Sequence, residues 1–249
     1  MTSSFIPSAA CCSNPPIIGP PYASKGTFID VAGTKVYTAS TSPDPPEHAL
    51  LILYDIFGYS GQILQGADFL AQHFRIFMPD FFDGKPAPLR WMPMDGPADE
   101  DAMDEFCSGP GGREKTLKKI DELMVQFKQH WPEIESWGIV GYCWGGWIAP
   151  YAVGKDTQFK ACAMLHPGFP GAKVAENVSV PVLALCSKDE PESEYADFKP
   201  ALKVEHEFHH FPNVVHGWMA ARGDLSDSEV EGDFWRGYEL VLKWFQKHL

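Results

Sequence analysis

Residues 141–146 read Gly-Tyr-Cys-Trp-Gly-Gly, a cysteine flanked by glycines in the G-x-nucleophile-x-G pattern. That pattern lets a strand turn sharply into a helix with one side chain presented at the apex. The glycines answer a crowding problem, because a Cβ at either place would collide with the strand or the helix. The apex residue here is Cys143 in place of the usual serine, so the chemistry implied is attack by a thiol on a scaffold that serine hydrolases use. A thiol needs help at neutral pH, since the thiolate is the reactive form. The helix N-terminus behind the apex favours negative charge. A histidine base oriented by a carboxylate would complete the set, and in hydrolases with this elbow both follow the nucleophile along the chain.

Both residue types occur where they are needed. The apolar run Pro181–Cys186 ends in Ser187-Lys188-Asp189, which puts Asp189 just past the carboxyl end of a strand. The run Val204–Phe211 ends in Pro212-Asn213-Val214-Val215-His216-Gly217, which puts His216 in the equivalent place. Active sites of open α/β sheets collect at this edge. Glu190, Glu192 and Glu194 are rival carboxylates further from the strand end. An oxyanion hole is expected from the backbone N–H of Trp144 and a second donor in the loop Asp55-Ile56-Phe57-Gly58. His206, His209 and His210 invite a metal reading, but strand alternation sends 209 and 210 to opposite faces, and no metal or cofactor is expected.

The elements that must position these groups follow from the pattern. Gly26–Val31 and Thr34–Ser40 alternate around Ala32-Gly33 and predict a β-hairpin. Ala49–Tyr54 is a continuous apolar run, as expected for a strand covered on both faces. A helix is predicted over 61–73 and a strand over Arg75–Met78. Phe81–Asp104 reads as an irregular lid or binding loop. Arg113–Trp131 has helical spacing, with Leu117, Ile120, Leu123, Met124 and Phe127 on one face. Trp137–Tyr142 is a strand, and 144–153 is its helix, kinked or ended early by Pro150. Further strands are predicted over Lys160–Leu165, Pro181–Cys186 and Val204–Phe211, with helices over Tyr195–Leu202 and Val230–His248. Strand and helix alternate, so the fold class is α/β with a mostly parallel, doubly wound sheet following the antiparallel hairpin. Residues 1–24, rich in Pro and Ser, read as an extended arm in which Cys11 and Cys12 form an ordinary flexible thiol pair. Residues 25–249 read as one domain.

Composition narrows the function classes. Twenty basic against 33 acidic residues give a formal net charge of −13, which repels phosphate backbones and anionic lipid. Nucleic acid and membrane are therefore not expected partners. An anionic substrate would need a local arginine, and only five exist. The six cysteines are scattered, Cys162 and Cys186 lie in apolar runs, and no zinc-ligand spacing appears. The segment around Ser136–Gly154 is uncharged but too rich in glycine for a lone spanning helix. A reducing cytoplasm fits best.

Taken together, Asp55-Ile56-Phe57-Gly58, the cysteine elbow over Gly141–Gly146, Asp189, and His216-Gly217 followed by Ala221-Arg222-Gly223 resemble the dienelactone hydrolase family. The likeness covers most of residues 25–249, and the Ala-Cys-Cys arm with its Pro-Pro pairs is similar to fungal members. The resemblance implies an α/β-hydrolase fold and a Cys–His–Asp triad of Cys143, His216 and Asp189. It also implies oxyanion donors at Ile56 and Trp144. Where bacterial members carry a glutamate that interacts with the thiol, this chain has Asp55, one methylene shorter. Family members acting on dienelactone hold its carboxylate with arginines; Arg222 matches one of these, and Arg90 is a candidate for another.

The expected activity is hydrolysis of small esters or lactones by a monomer or homodimer. The pocket would be aromatic, formed by Phe57, Tyr59, Trp91 of the lid around Trp91–Met94, Trp144 and Trp218. A non-catalytic binding or redox-sensing protein on the same fold is the alternative class, and a pathway enzyme with redirected carbonyl chemistry is a third.

Overall fold

Eight strands form one sheet in the order β1-β2-β4-β3-β5-β6-β7-β8 in a computed structural model that describes residues 10–11, 14–41 and 46–249. Cys12 and the first nine residues lie outside the described residues. The strands are β1 Thr27–Val31, β2 Thr34–Ala39, β3 His48–Leu53, β4 Arg75–Pro79, β5 Ser136–Tyr142, β6 Ala161–Leu165, β7 Val182–Ser187 and β8 His206–Phe211. β1 and β2 pair antiparallel through the turn Ala32-Gly33, where both residues have positive φ, as a tight hairpin requires. β2 joins β4 antiparallel, and every later pairing is parallel. The mostly parallel sheet led by an antiparallel hairpin is the architecture the alternation implied.

Burial explains why the central strands read as unbroken apolar runs. Every residue of β5, β6 and β7 is buried, because helices cover both faces of the sheet. At the edge, β8 buries only Phe211 and leaves its other five side chains at least partly in contact with water. The closing helix Ser228–His248 begins at Asp227, whose carboxylate accepts from the amides of Glu229 and Val230. It then lays Phe234, Tyr238, Val241 and Phe245 into the core. Gly138 in β5 is required here, because a Cβ would stand 2.4 Å from the Phe245 ring.

Three local expectations need correction. Phe81–Asp104 is not irregular throughout: a 3₁₀ turn covers Leu89–Trp91 and an α-helix covers Pro97–Ser108. Proline at the first helical position and acids in the first turn (Asp99, Glu100) start that helix, features that a Pro- and Asp-rich composition disguises as loop. The helix predicted over Tyr195–Leu202 shrinks to a single turn, Phe198–Ala201, after a 3₁₀ turn at Glu192–Glu194. Pro150 does not interrupt its helix, Trp144–Ala152, which ends two residues beyond it.

The described residues of the arm are tied to the body. The Tyr22 hydroxyl and the Lys25 amide both donate to the buried carboxylate of Asp68, at 2.9 and 2.7 Å. The Ile17 amide donates to Ala221 O at 2.8 Å, and Gln62 Nε2 donates to Ile17 O at 3.0 Å. No helix among the described residues is long and apolar enough to cross a membrane.

Candidate active site

Cys143 occupies the bend between β5 and the helix Trp144–Ala152, with φ 51° and ψ −107°. A positive φ on a side chain this size is strained, at a typical cost of about 1–3 kcal/mol, and persists only where the surroundings fix it. Here its amide donates to Leu165 O at the end of β6 (3.0 Å), and its carbonyl accepts from Trp147 N (3.0 Å). The bend is tight enough that a Cβ on Gly145 would lie 2.2 Å from Leu53 O.

His216 follows β8, as predicted, and is almost fully buried. One of its ring nitrogens lies within 4.8 Å of Cys143 Sγ and of Cys11 Sγ, which themselves stand 3.6 Å apart. These three are residue types that ligate soft metal ions. Nδ1 of His216 pairs with Glu190 Oε1 at 2.6 Å, and both side chains are 2% exposed. Nε2 is buried without a hydrogen bond of good geometry. Burial works against charge on the ring. The Glu190 carboxylate, with hydrogen bonds from the ring to Cys11 and Glu190, outweighs it and raises the imidazole from 6.5 to about 10. Glu190 responds in kind: burial pushes it up, but the imidazolium and its hydrogen bonds hold it below the usual range.

This overturns the assignment of Asp189 as the group that orients the ring. Asp189 Oδ2 accepts from the backbone N–H of His216 at 2.7 Å, and its carboxylate therefore holds the loop. The reason lies in the turn after β7. Glu190 N donates to Ser187 O, which folds the chain back so that residue 190 points inward. Glu190 Oε2 then accepts from Ser187 N at 2.7 Å, which fixes the carboxylate for His216.

Trp144 and Ile56 are the expected oxyanion donors. Trp144 follows Cys143, and its ring is pinned by Nε1 donating to Gly111 O at 2.8 Å. Ile56 sits in the loop after β3. Neither backbone amide has an acceptor among the described residues. Asp55 is buried in the same loop. Its oxygens accept from the amides of Phe57 (2.9 Å) and Ala221 (3.2 Å), which ties the loop after β3 to the loop that carries His216. Burial raises its carboxyl, and those two amides with the charges of Arg222 and His216 oppose the rise.

The other substrate contacts divide. Phe57 and Tyr59 line a cavity of about 880 Å³ between the arm and the body. None of Cys143, Glu190 and His216 lines that cavity. Arg90 is exposed and Trp91, packed near Phe106, is half-buried; neither lines the cavity. Trp218 is wholly buried against Phe211, a core residue whose aromatic type mimicked a pocket wall. Arg222 is buried above the Phe57 ring, and two of its nitrogens donate to the arm: Nε to Asn14 O at 2.7 Å and Nη2 to Cys11 O at 2.5 Å. Cys11, expected to belong to a flexible thiol pair, is instead 1% exposed beside Cys143.

Sequence reasoning also missed His166. It directly follows β6, has φ 37°, and its ring centre lies 5.2 Å from that of His216. Burial, with the charges of His216 and Arg222, holds it neutral, well below the ordinary value. The strand-end rule that selected Asp189 and His216 selects His166 equally.

An eight-stranded sheet with a strained cysteine elbow at the end of β5 and a buried histidine after β8 defines an α/β-hydrolase. The sequence profile of the dienelactone hydrolase family matches residues 35–249, and the chain belongs to that family. An uncharacterized AIM2 family protein of Schizosaccharomyces pombe is 35% identical over 235 residues, covering 90% of this chain and 92% of that protein. A human carboxymethylenebutenolidase homolog is 24% identical, with coverage of 92% and 93%. Among solved structures, a putative dienelactone hydrolase from Klebsiella pneumoniae has the same fold, with a TM-score of 0.71 at 20% identity, covering 91% of this chain and 99% of that one.

Proposed function

We propose that this hydrolase cleaves small esters or lactones through a covalent thioester on Cys143. The observation that carries the reading is the pairing at His216: one ring nitrogen near the sulfur at a strained bend, the other on a buried carboxylate. A ring held as imidazolium near neutral pH is the partner a thiolate needs. The thiolate attacks the substrate carbonyl, and the amides of Ile56 and Trp144 receive the oxyanion. His216 then passes its proton to the departing alkoxide. In a lactone that alkoxide stays tethered to the acyl group. The neutral ring next takes a proton from water, the water attacks the thioester, and the acid leaves. Glu190 keeps the ring oriented and stabilises its charge through each transfer.

The scissile group would enter from the cavity beside Phe57 and Tyr59, whose aromatic walls favour a small, largely apolar substrate. The carboxylate clamp implied by Arg222 requires the arm to give up that guanidinium first. Cys143→Ala is expected to abolish hydrolysis of p-nitrophenyl acetate and to leave the circular dichroism spectrum and thermal midpoint near those of the unaltered protein. Undiminished turnover in a folded Cys143→Ala protein would remove the nucleophile assignment.

A further inference from the structure

The arm brings a second thiol onto the nucleophile. Cys11 Sγ lies 3.6 Å from Cys143 Sγ across 132 positions of sequence, and both side chains are buried. The contact is anchored by the loop that also carries the base, since Arg222 binds the carbonyls of Cys11 and Asn14 and Ala221 binds Ile17. The anchors are mostly hydrogen bonds: Ile18, in the middle of the arm, is 83% exposed. A segment held by polar contacts with little apolar burial opens more readily than the packed core, which gives small molecules access to the sulfurs.

We propose that Cys11 is a resolving thiol that converts Cys143 into a reversible redox switch, closed by peroxide as a Cys11–Cys143 disulfide. The inference rests on Cys143 being the reactive thiol of the preceding section. In the first step the Cys143 thiolate attacks a peroxide oxygen. The O–O bond breaks, sulfur is oxidised to sulfenic acid, and the peroxide's other oxygen leaves as water or an alcohol after taking a proton. In the second step Cys11 attacks the Cys143 sulfur, the S–S bond forms, and the sulfenic oxygen departs as water with the Cys11 proton. Two thiols and one peroxide thus give one disulfide and two hydroxylic products. Without a neighbouring thiol the sulfenic acid goes on to sulfinic acid, which is irreversible. Van der Waals contact between the sulfurs means that side-chain rotation, with small shifts of the arm, brings them to bonding distance. Closure removes the nucleophile and locks the arm across it. A dithiol reductant restores both thiols and becomes a disulfide itself.

The test treats the full-length protein with hydrogen peroxide, blocks the remaining thiols in denaturant, and maps the peptides by mass spectrometry. Hydrolysis of p-nitrophenyl acetate is followed in parallel. The expected result is a linked Cys11–Cys143 peptide lighter by two hydrogens, activity lost in proportion to the linked fraction, and full recovery of both with dithiothreitol. In Cys11→Ser the link is absent, and the same exposure leaves Cys143 as sulfinic acid that dithiothreitol does not rescue. Two results overturn the proposal: sulfinic acid forming on Cys143 at equal rates in both proteins with no linked peptide, or activity recovered by a chelator and not by a thiol. The link is read by mass whether or not any ester is hydrolysed, so failure of the hydrolase reading and failure of the switch are separately visible.

Discussion

Replacing Glu190 with Gln removes one charge at nearly constant volume and leaves Asp189 untouched. In the intact protein the imidazole titrates at about 10 instead of 6.5, which corresponds to roughly 5 kcal/mol in favour of the charged ring. Burial is the largest influence on that ring and opposes charge, so without the carboxylate His216 should titrate well below its value in the intact protein. The glutamine can also hold the wrong tautomer; the same kind of change in a Ser-His-Asp triad lowers kcat by about 10⁴, or between 5 and 6 kcal/mol. Both routes give Glu190→Gln a loss of about 10³–10⁴ in kcat/KM. Asp189→Asn keeps an oxygen that accepts from the His216 amide and loses only charge assistance, on the order of 1 kcal/mol, or about fivefold. The assay is kcat/KM for p-nitrophenyl acetate from pH 5 to 10, with the His216 ring followed by NMR. A loss above a hundredfold in Asp189→Asn, with Glu190→Gln near the unaltered protein, would refute the reassignment.

Other outcomes follow from the same geometry. The Glu190–His216 pair should make the protein's stability advantage over Glu190→Gln full between the ordinary values of 4.5 and 6.5. The advantage should shrink as pH rises from 6.5 through about 10, where the ring loses its proton, and as pH falls below 4.5, where the carboxylate gains one. Thermal midpoints of the two proteins across pH check this, and a gap that widened above pH 8 would contradict it. Trp218→Ala should cost about 3–5 kcal/mol in urea unfolding with no preference among substrates, because the ring is core. Arg222→Ala removes two hydrogen bonds from a charged donor, each worth about 1.5–3 kcal/mol, and should speed iodoacetamide labelling of Cys143 at least tenfold. Labelling at the original rate would show that the arm does not guard the thiol.

The sheet was readable because its physics is local. Strands buried on both faces must be continuously apolar, and the Gly-x-Cys-x-Gly-Gly run after such a strand fits a strand-to-helix bend. Cys143 and His216 were readable for the same reason, each standing at a strand end. Asp189 and Glu190 were not separable, because a single turn after β7 decides which of two adjacent carboxylates faces inward. Trp218 and Arg90 were misplaced because residue type alone does not tell a pocket wall from core or solvent. Cys11 was out of reach for a different reason: its place depends on contacts more than 200 positions away, through Arg222, that no periodicity encodes. His166 obeyed the strand-end rule and was not singled out from the sequence.

The account stands most directly on the fate of the sulfur during turnover. Rapid mixing with p-nitrophenyl acetate, acid quenching within milliseconds and peptide mass mapping should find an acetyl group on Cys143, removable by hydroxylamine as a thioester is. Rapid nitrophenol release with Cys143 unmodified, or with the acetyl group on another side chain, would contradict it.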